Sequence, residues 1–271
     1  MKANLSRVVR RGVLAAAMSA AFASSAFALP QFTLDPTASS GSFTGAQVTA
    51  DNVIVSNYST VRLDTATGSF SESGFLSVQN FQLGGNIVSS PDLNSSYGLY
   101  IQFTGTGSQT AGDPATSVTI GSFDSLEYTL FGFTGSATFG FDAGNNPTTS
   151  VGAASRVALA TGSLLPGPNQ SSVGTSPQSP SFNAFASANL TFVPTAAAGT
   201  FFLAPQPFYN IAVSSFINNP PQVTPFVDGF RITQGGGSVN FTSPIPEPET
   251  YALFLAGLAA VGWTARRRRP T

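Results

Sequence analysis

The stretch Leu99-Tyr100-Ile101-Gln102-Phe103-Thr104 alternates side chains with a period of two, and that period recurs through nearly the whole middle of the chain. A backbone that sends successive side chains to opposite faces is a strand, so Leu99, Ile101 and Phe103 share one side. Leu126, Tyr128 and Leu130 alternate likewise with Glu127 and Thr129. Shorter pieces repeat the pattern at Val53/Val55, Val61/Leu63, Phe139/Phe141, Ala188/Leu190/Phe192, Ile211/Val213, Phe230/Ile232 and Val239/Phe241. No long window carries the 3.6-residue repeat of an amphipathic helix. Turn-forming residues punctuate the strands at Asn94-Ser95-Ser96, Gly105-Thr106-Gly107, Gly144 to Pro147, Asn218 to Pro221 and Gly235-Gly236-Gly237. Many short strands between such turns predict an all-β body over residues 29–241, an antiparallel β-sandwich of jelly-roll-like type. Within it, LLPGPNQSSVGTSPQSPSF (164–182) is expected to be one long crossover loop. Gly235 to Ser238, together with the segment from Thr242 to residue 250, is expected to form a flexible stalk.

Such a body must hold itself together without covalent help. The 271 residues contain no cysteine and no histidine, and Lys2 is the only lysine. Disulfides, Cys/His zinc sites and Ser-His-Asp or Cys-His catalytic centres therefore cannot be built. Chemistry by two carboxylates remains. Asp124 and Glu127 are the nearest pair in the body, but their odd spacing on a strand is expected to point them to opposite faces. The expectation is a non-enzymatic protein with no catalytic residue and no cofactor. Calcium needs only oxygen ligands, and Asp142, Asn145 and Asn146 in FDAGNNP offer some. Without EF-hand or repeat spacing this stretch reads as a polar turn, and no metal site is assigned.

Charge adds a further exclusion. Between residues 29 and 245 only Arg62, Arg156 and Arg231 stand against ten acids, a net of −7. Nucleic-acid binding needs a basic footprint, which this body lacks. The 24 phenylalanines against 6 tyrosines and 1 tryptophan point to core packing more than to binding. Trp263 lies outside the body, so the aromatic residues left to stack on sugars are Tyr58, Tyr97, Tyr100, Tyr128 and Tyr209, provided they are exposed.

Both ends of the chain read as addresses. Residues 1–28 have a basic start, an Ala-rich apolar stretch and the A-x-A site Ala26-Phe27-Ala28, the plan of a signal peptide cleaved after Ala28. The expected partners are the Sec translocon and signal peptidase. At the other end Tyr251 to Ala265 is mostly apolar, and as a helix it is about 22 Å long against a hydrocarbon core of roughly 30 Å. It is expected to be a short transmembrane helix (251–265). The block Arg266, Arg267, Arg268 and Arg269 in the tail (266–271) belongs on the cytoplasmic side, which puts the body outside. Pro246-Glu247-Pro248 enforces an extended segment just outside the membrane, of the kind a protease can grip.

Pro246-Glu247-Pro248, the apolar segment with Leu255-Ala256-Gly257-Leu258, and Arg266 to Arg269, in that order, resemble a PEP-CTERM sorting signal. The resemblance covers about the last tenth of the chain. It implies recognition by exosortase, a membrane-embedded cysteine protease and transpeptidase of Gram-negative bacteria. It also implies a transient inner-membrane anchor, loss of the arginine tail and delivery to the cell surface or matrix. The start of the body, LPQFTLDPTASSGSFTGAQVTADNVIVSNYSTV, and Ser95 to Tyr100 are similar to flocculation-associated PEP-CTERM proteins. That similarity implies a secreted matrix component acting with exopolysaccharide in biofilms or flocs, and it carries over no site residue. A lectin-like or calcium-stabilised adhesion module is the alternative expectation.

Overall fold

A computed structural model describes residues 29–41, 43–64, 66–113, 118–174 and 184–243. The chain opens with Phe32–Leu34 (β1), Val48–Ala50 (β2), Asn52–Asp64 (β3), Ser69–Leu83 (β4) and Asn86–Ile87 (β5). Two 17-residue strands follow, Tyr97–Asp113 (β6) and Val118–Thr134 (β7), and then the short pair Phe139–Phe141 (β8) and Pro147–Thr149 (β9). The second half contains Arg156–Ser163 (β10), Gln170–Gly174 (β11), Ala184–Thr191 (β12), Val193–Pro194 (β13) and Phe202–Ala204 (β14). It ends with Ile211–Asn218 (β15), Val223–Phe226 (β16) and Gly229–Thr242 (β17). The only helical turns among the described residues are four short 3-10 turns.

Pairing is antiparallel throughout the main sheet, and the sheet closes on itself. β3, β4, β6 and β7 pair in sequence. The far edge of β7 is shared, with Glu127 to Phe133 pairing β10 and Val118 to Gly121 pairing β11. From β11 the order runs through β12, β15 and β17 and returns to β3. The body is thus all-β and antiparallel, with sheet faces meeting across one apolar core, as the alternation predicts. The jelly-roll connections and the crossover are corrected: neighbours in sequence are neighbours in the wall, as in a meander, and the last strand pairs with the first. Closure removes the long edges of the main wall, and open edges among the described residues are confined to short strands such as β2, β9, β14 and β16.

The expected loop over 164–182 is corrected over 164–174, and its remainder, 175–182, lies outside the described residues. β10 and β11 together fill one place in the wall, broken where Pro166-Gly167-Pro168 cannot supply ladder N–H groups. Neighbouring groups complete the bonding across the break. Leu164 N donates to Leu126 O at 2.8 Å, Leu165 N to Asn189 O at 2.9 Å, and Phe123 N to Asn169 Oδ1 at 2.6 Å.

Two glycine clusters predicted as turn or stalk lie inside strands. Gly107 of β6 faces the ring of Phe70, and Gly237 of β17 faces the ring of Phe216, each so close that a Cβ would collide. These positions need the absence of a side chain, not a turn. The phase of β15 differs as well: Ala212 and Ser214 are buried, while Ile211 and Val213 are only half-buried on the outer face. Ala212 pairs with Leu190 and Phe241, and a small residue beside two large ones fits the interior.

One rim of the barrel is closed by a small sheet in the order β14-β1-β2 and by phenylalanine rings. Phe32 and Phe241 meet edge to face at 5.0 Å, Phe192 and Phe241 at 4.8 Å, and Phe192 and Phe202 at 5.0 Å. Outside the wall, the β8–β9 hairpin covers a second cluster of Phe75, Tyr100 and Phe133.

Candidate functional site

The expected processing residues Ala26, Ala28, Pro246, Glu247, Pro248, Arg266, Arg267, Arg268 and Arg269 lie outside the described residues, as do the expected transmembrane helix and the segment 244–250. Within the barrel, chemically able groups collect in three places: under the hairpin, on the outer wall beside it, and in the interior.

The hairpin gathers all three arginines of the body. Arg62 donates to Gly144 O at 3.0 Å and to Asn146 Oδ1 at 3.1 Å, and Arg231 donates to Asn145 Oδ1 at 3.2 Å. The Thr60 hydroxyl donates to the Asn145 carbonyl. Arg156 donates to the Tyr100 hydroxyl at 2.7 Å and to Gln102 Oε1 at 3.1 Å, with its guanidinium 4.1 Å from the centroid of the Phe131 ring. Asp142 Oδ1 accepts from Gly144 N and Asn146 N, both at 2.8 Å, and its bonds to Asn146 hold the carboxyl below its ordinary range. The oxygens that FDAGNNP offered to calcium are thus engaged by the turn itself and by guanidinium groups. Among the described residues no three Asp or Glu side chains come together as a metal site.

The tyrosines form no platform for sugars. Tyr97, Tyr100 and Tyr128 are buried. Tyr58 stacks on Phe139 at 5.6 Å, and Tyr209 packs on Phe208 at 5.5 Å while its hydroxyl donates to Gln31 O. Instead, the outer wall beside the hairpin presents a groove lined by Ser71, Ser73, Thr104, Thr106, Ser125 and Glu127. The Thr106 and Ser125 hydroxyls are 2.7 Å apart. Asp124 joins Glu127 on the exposed side, against the expectation of opposite faces, because the register slips between Thr106 and Gly107 and places two consecutive exposed residues, Asp124 and Ser125, in β7.

The interior holds groups that the sequence reading missed. Glu72 sits in β4 between Val61 of β3 and Gly105 of β6, on the same face as Phe70, Leu76 and Val78. It is half-buried and lines both a cavity of about 120 Å³ enclosed mostly by apolar side chains and the hydroxyl-bearing groove beside the hairpin. Burial pushes its carboxyl up to about 7, opposed only in part by the Ser59 hydroxyl. Asn57 also faces inward and is 3% exposed, and its Oδ1 accepts no hydrogen bond from the protein. Ser214, by contrast, donates to Ala188 O at 3.1 Å. The sequence does carry a signal for Glu72, because it falls on the same parity as Phe70, Leu76 and Val78, with Gly74 between them.

Residues 244–269 match the family described as the PEP-CTERM protein-sorting motif. The match spans Pro246-Glu247-Pro248, the apolar segment and the four arginines, and it implies an exported protein processed by exosortase with a transient membrane anchor. No curated protein and no solved structure matches the chain, so the likeness of the body to flocculation-associated proteins gains no support from these comparisons.

Proposed function

We propose that the chain is a non-enzymatic surface or extracellular-matrix protein, delivered by exosortase processing and contributing to biofilm or floc structure together with exopolysaccharide. The observation that carries the reading is the sorting motif over 244–269. The form of the body supports it. A main wall closed on itself offers no long edge for pairing between copies in a crowded matrix, and a body with one arginine for roughly three acids repels nonspecific anionic partners.

Contact with polysaccharide is supported by the hydroxyl-lined groove of Ser71, Ser73, Thr104, Thr106 and Ser125, which offers hydrogen bonds in place of stacking. Because the five tyrosines are buried or packed, this face replaces the aromatic one in the lectin-like alternative.

The test is intact-mass and C-terminal peptide analysis of the protein from the extracellular fraction of its host. The expected product ends near Pro246 to Pro248, lacks Arg266 to Arg269, and is retained by purified exopolysaccharide. A chain ending at Thr271 and confined to the membrane fraction overturns the sorting reading and leaves a simple anchor.

A further inference from the structure

The barrel interior differs from a plain hydrophobic core in one layer. Along β3 the inward positions run Val53, Val55, Asn57, Ser59 and Val61, and along β4 they run Phe70, Glu72, Gly74, Leu76 and Val78. Two strands that otherwise point aliphatic and aromatic groups inward therefore place Asn57, Ser59 and Glu72 on one face, with the row of Ser59 and Gly74 between the row of Asn57 and Leu76 and that of Val61 and Glu72. Buried polar groups are normally paired within the protein, because an unpaired one forfeits its hydration without return. Asn57 Oδ1 departs from that rule. The Glu72 carboxyl, two rows farther along the same pair of strands, has no cationic partner: all three arginines of the body are on the outer face, engaged with the hairpin and the groups beneath it. The same layer opens onto the cavity of about 120 Å³, whose walls include Val61, Leu76, Ile101, Phe103, Leu126 and Phe230. For scale, an engineered apolar cavity of about 150 Å³ accepts a benzene molecule.

We propose that this cavity is a binding site for a small apolar molecule, about one ring in size, that carries a single O–H or N–H donor directed at Asn57 Oδ1. The apolar walls take the body of the ligand, and the polar layer fixes its orientation, the usual division of labour in small-molecule sites. Carboxylic acids are disfavoured, since no cation faces the cavity to offset the cost of burying a carboxylate. Because burial holds the Glu72 carboxyl largely protonated below neutral pH, a neutral ligand meets a neutral pocket there. Phenylalanine rings and the β14-β1-β2 sheet close one rim, and Gln109, Ser171 and Phe216 line the cavity toward the other. The inference does not depend on how the chain is sorted.

The test is fluorine NMR of the full-length chain at pH 6 with two isosteric probes, 4-fluorophenol, which has the donor, and 4-fluorotoluene, which lacks it. Both are expected to bind saturably, 4-fluorophenol at least tenfold more tightly. Asn57→Leu is expected to abolish the preference while keeping 4-fluorotoluene bound, and 4-fluorobenzoate is expected not to bind. If Asn57→Leu fails to fold, Asn57→Ser shortens the acceptor and tests the same preference. Failure of both probes to saturate, as for a cavity filled by water alone, overturns the proposal. Equal affinities that neither substitution alters overturn the role given to Asn57.

Discussion

A single carboxyl sets the pH response of this barrel. Glu72 titrates at about 7 in the fold against an ordinary 4.5, so between those values the folded chain keeps a proton that the unfolded chain has lost. Stability contributed this way is present below about pH 4.5 and falls as pH rises, by about 3 kcal/mol once pH passes 7. Asp35, Asp64 and Asp142 act with the opposite sign. Hydrogen bonds from Thr37, Thr67 and Asn146 respectively hold their carboxyls low, so their contribution is present above the ordinary carboxylate range and lost in acid. Urea unfolding should therefore show the wild-type chain weaker at pH 8 than at pH 4.5, and Glu72→Gln should remove most of that difference. A wild-type chain equally stable at both pH values would show that the carboxyl is solvated in the folded state.

The β8–β9 hairpin is a cover fastened by cations. Arg156 reaches beneath it to the Tyr100 hydroxyl, Gln102 and the Phe131 ring, so replacing it removes charge-assisted bonds and leaves the buried tyrosine hydroxyl short of a partner. Arg156→Met should cost about 1–3 kcal/mol, concentrated locally. Hydrogen exchange should then accelerate over Phe139–Thr149 while β3 and β4 keep their protection, and uniform acceleration across the barrel would refute a local role. Alternation made most strand faces legible in the sequence: Leu99, Ile101 and Phe103, and likewise Leu126, Tyr128 and Leu130, are buried as their spacing demands. It misled where neighbours across the wall set the side-chain size, as at Ala212, and where a slipped register gave two consecutive residues the same face, as at Asp124 and Ser125. The glycines at 105, 107, 235 and 237 look like turns in one dimension, because only the packed fold shows which neighbour each one must admit, a ring at Gly107 and Gly237 and the Asn218 amide at Gly235. Closure of the wall depends on pairing between β17 and β3, whose residues are far apart in the chain, and no local pattern announces it. For the site, the sorting signal was legible because its parts are contiguous, whereas the placement of Asn57 and Glu72 on one inward face emerges only from the pairing of β3 with β4.

At the scale of the molecule, barrel and sorting signal are separable. β17 ends at Thr242 and the matched motif begins at 244, so the wall is complete before the signal starts. Deleting Pro246 to Arg269 should leave the strand signal in circular dichroism and the thermal midpoint unchanged within a few degrees, the shift expected for less than about 1 kcal/mol. Loss of the fold on that deletion would contradict the separation. The first and last described strands meet at the same rim, where the ring of Phe32 rests on that of Phe241. Tail removal would therefore act at that pole of the barrel. A molecule held to a membrane by that pole hangs with its opposite pole turned outward, away from the tether.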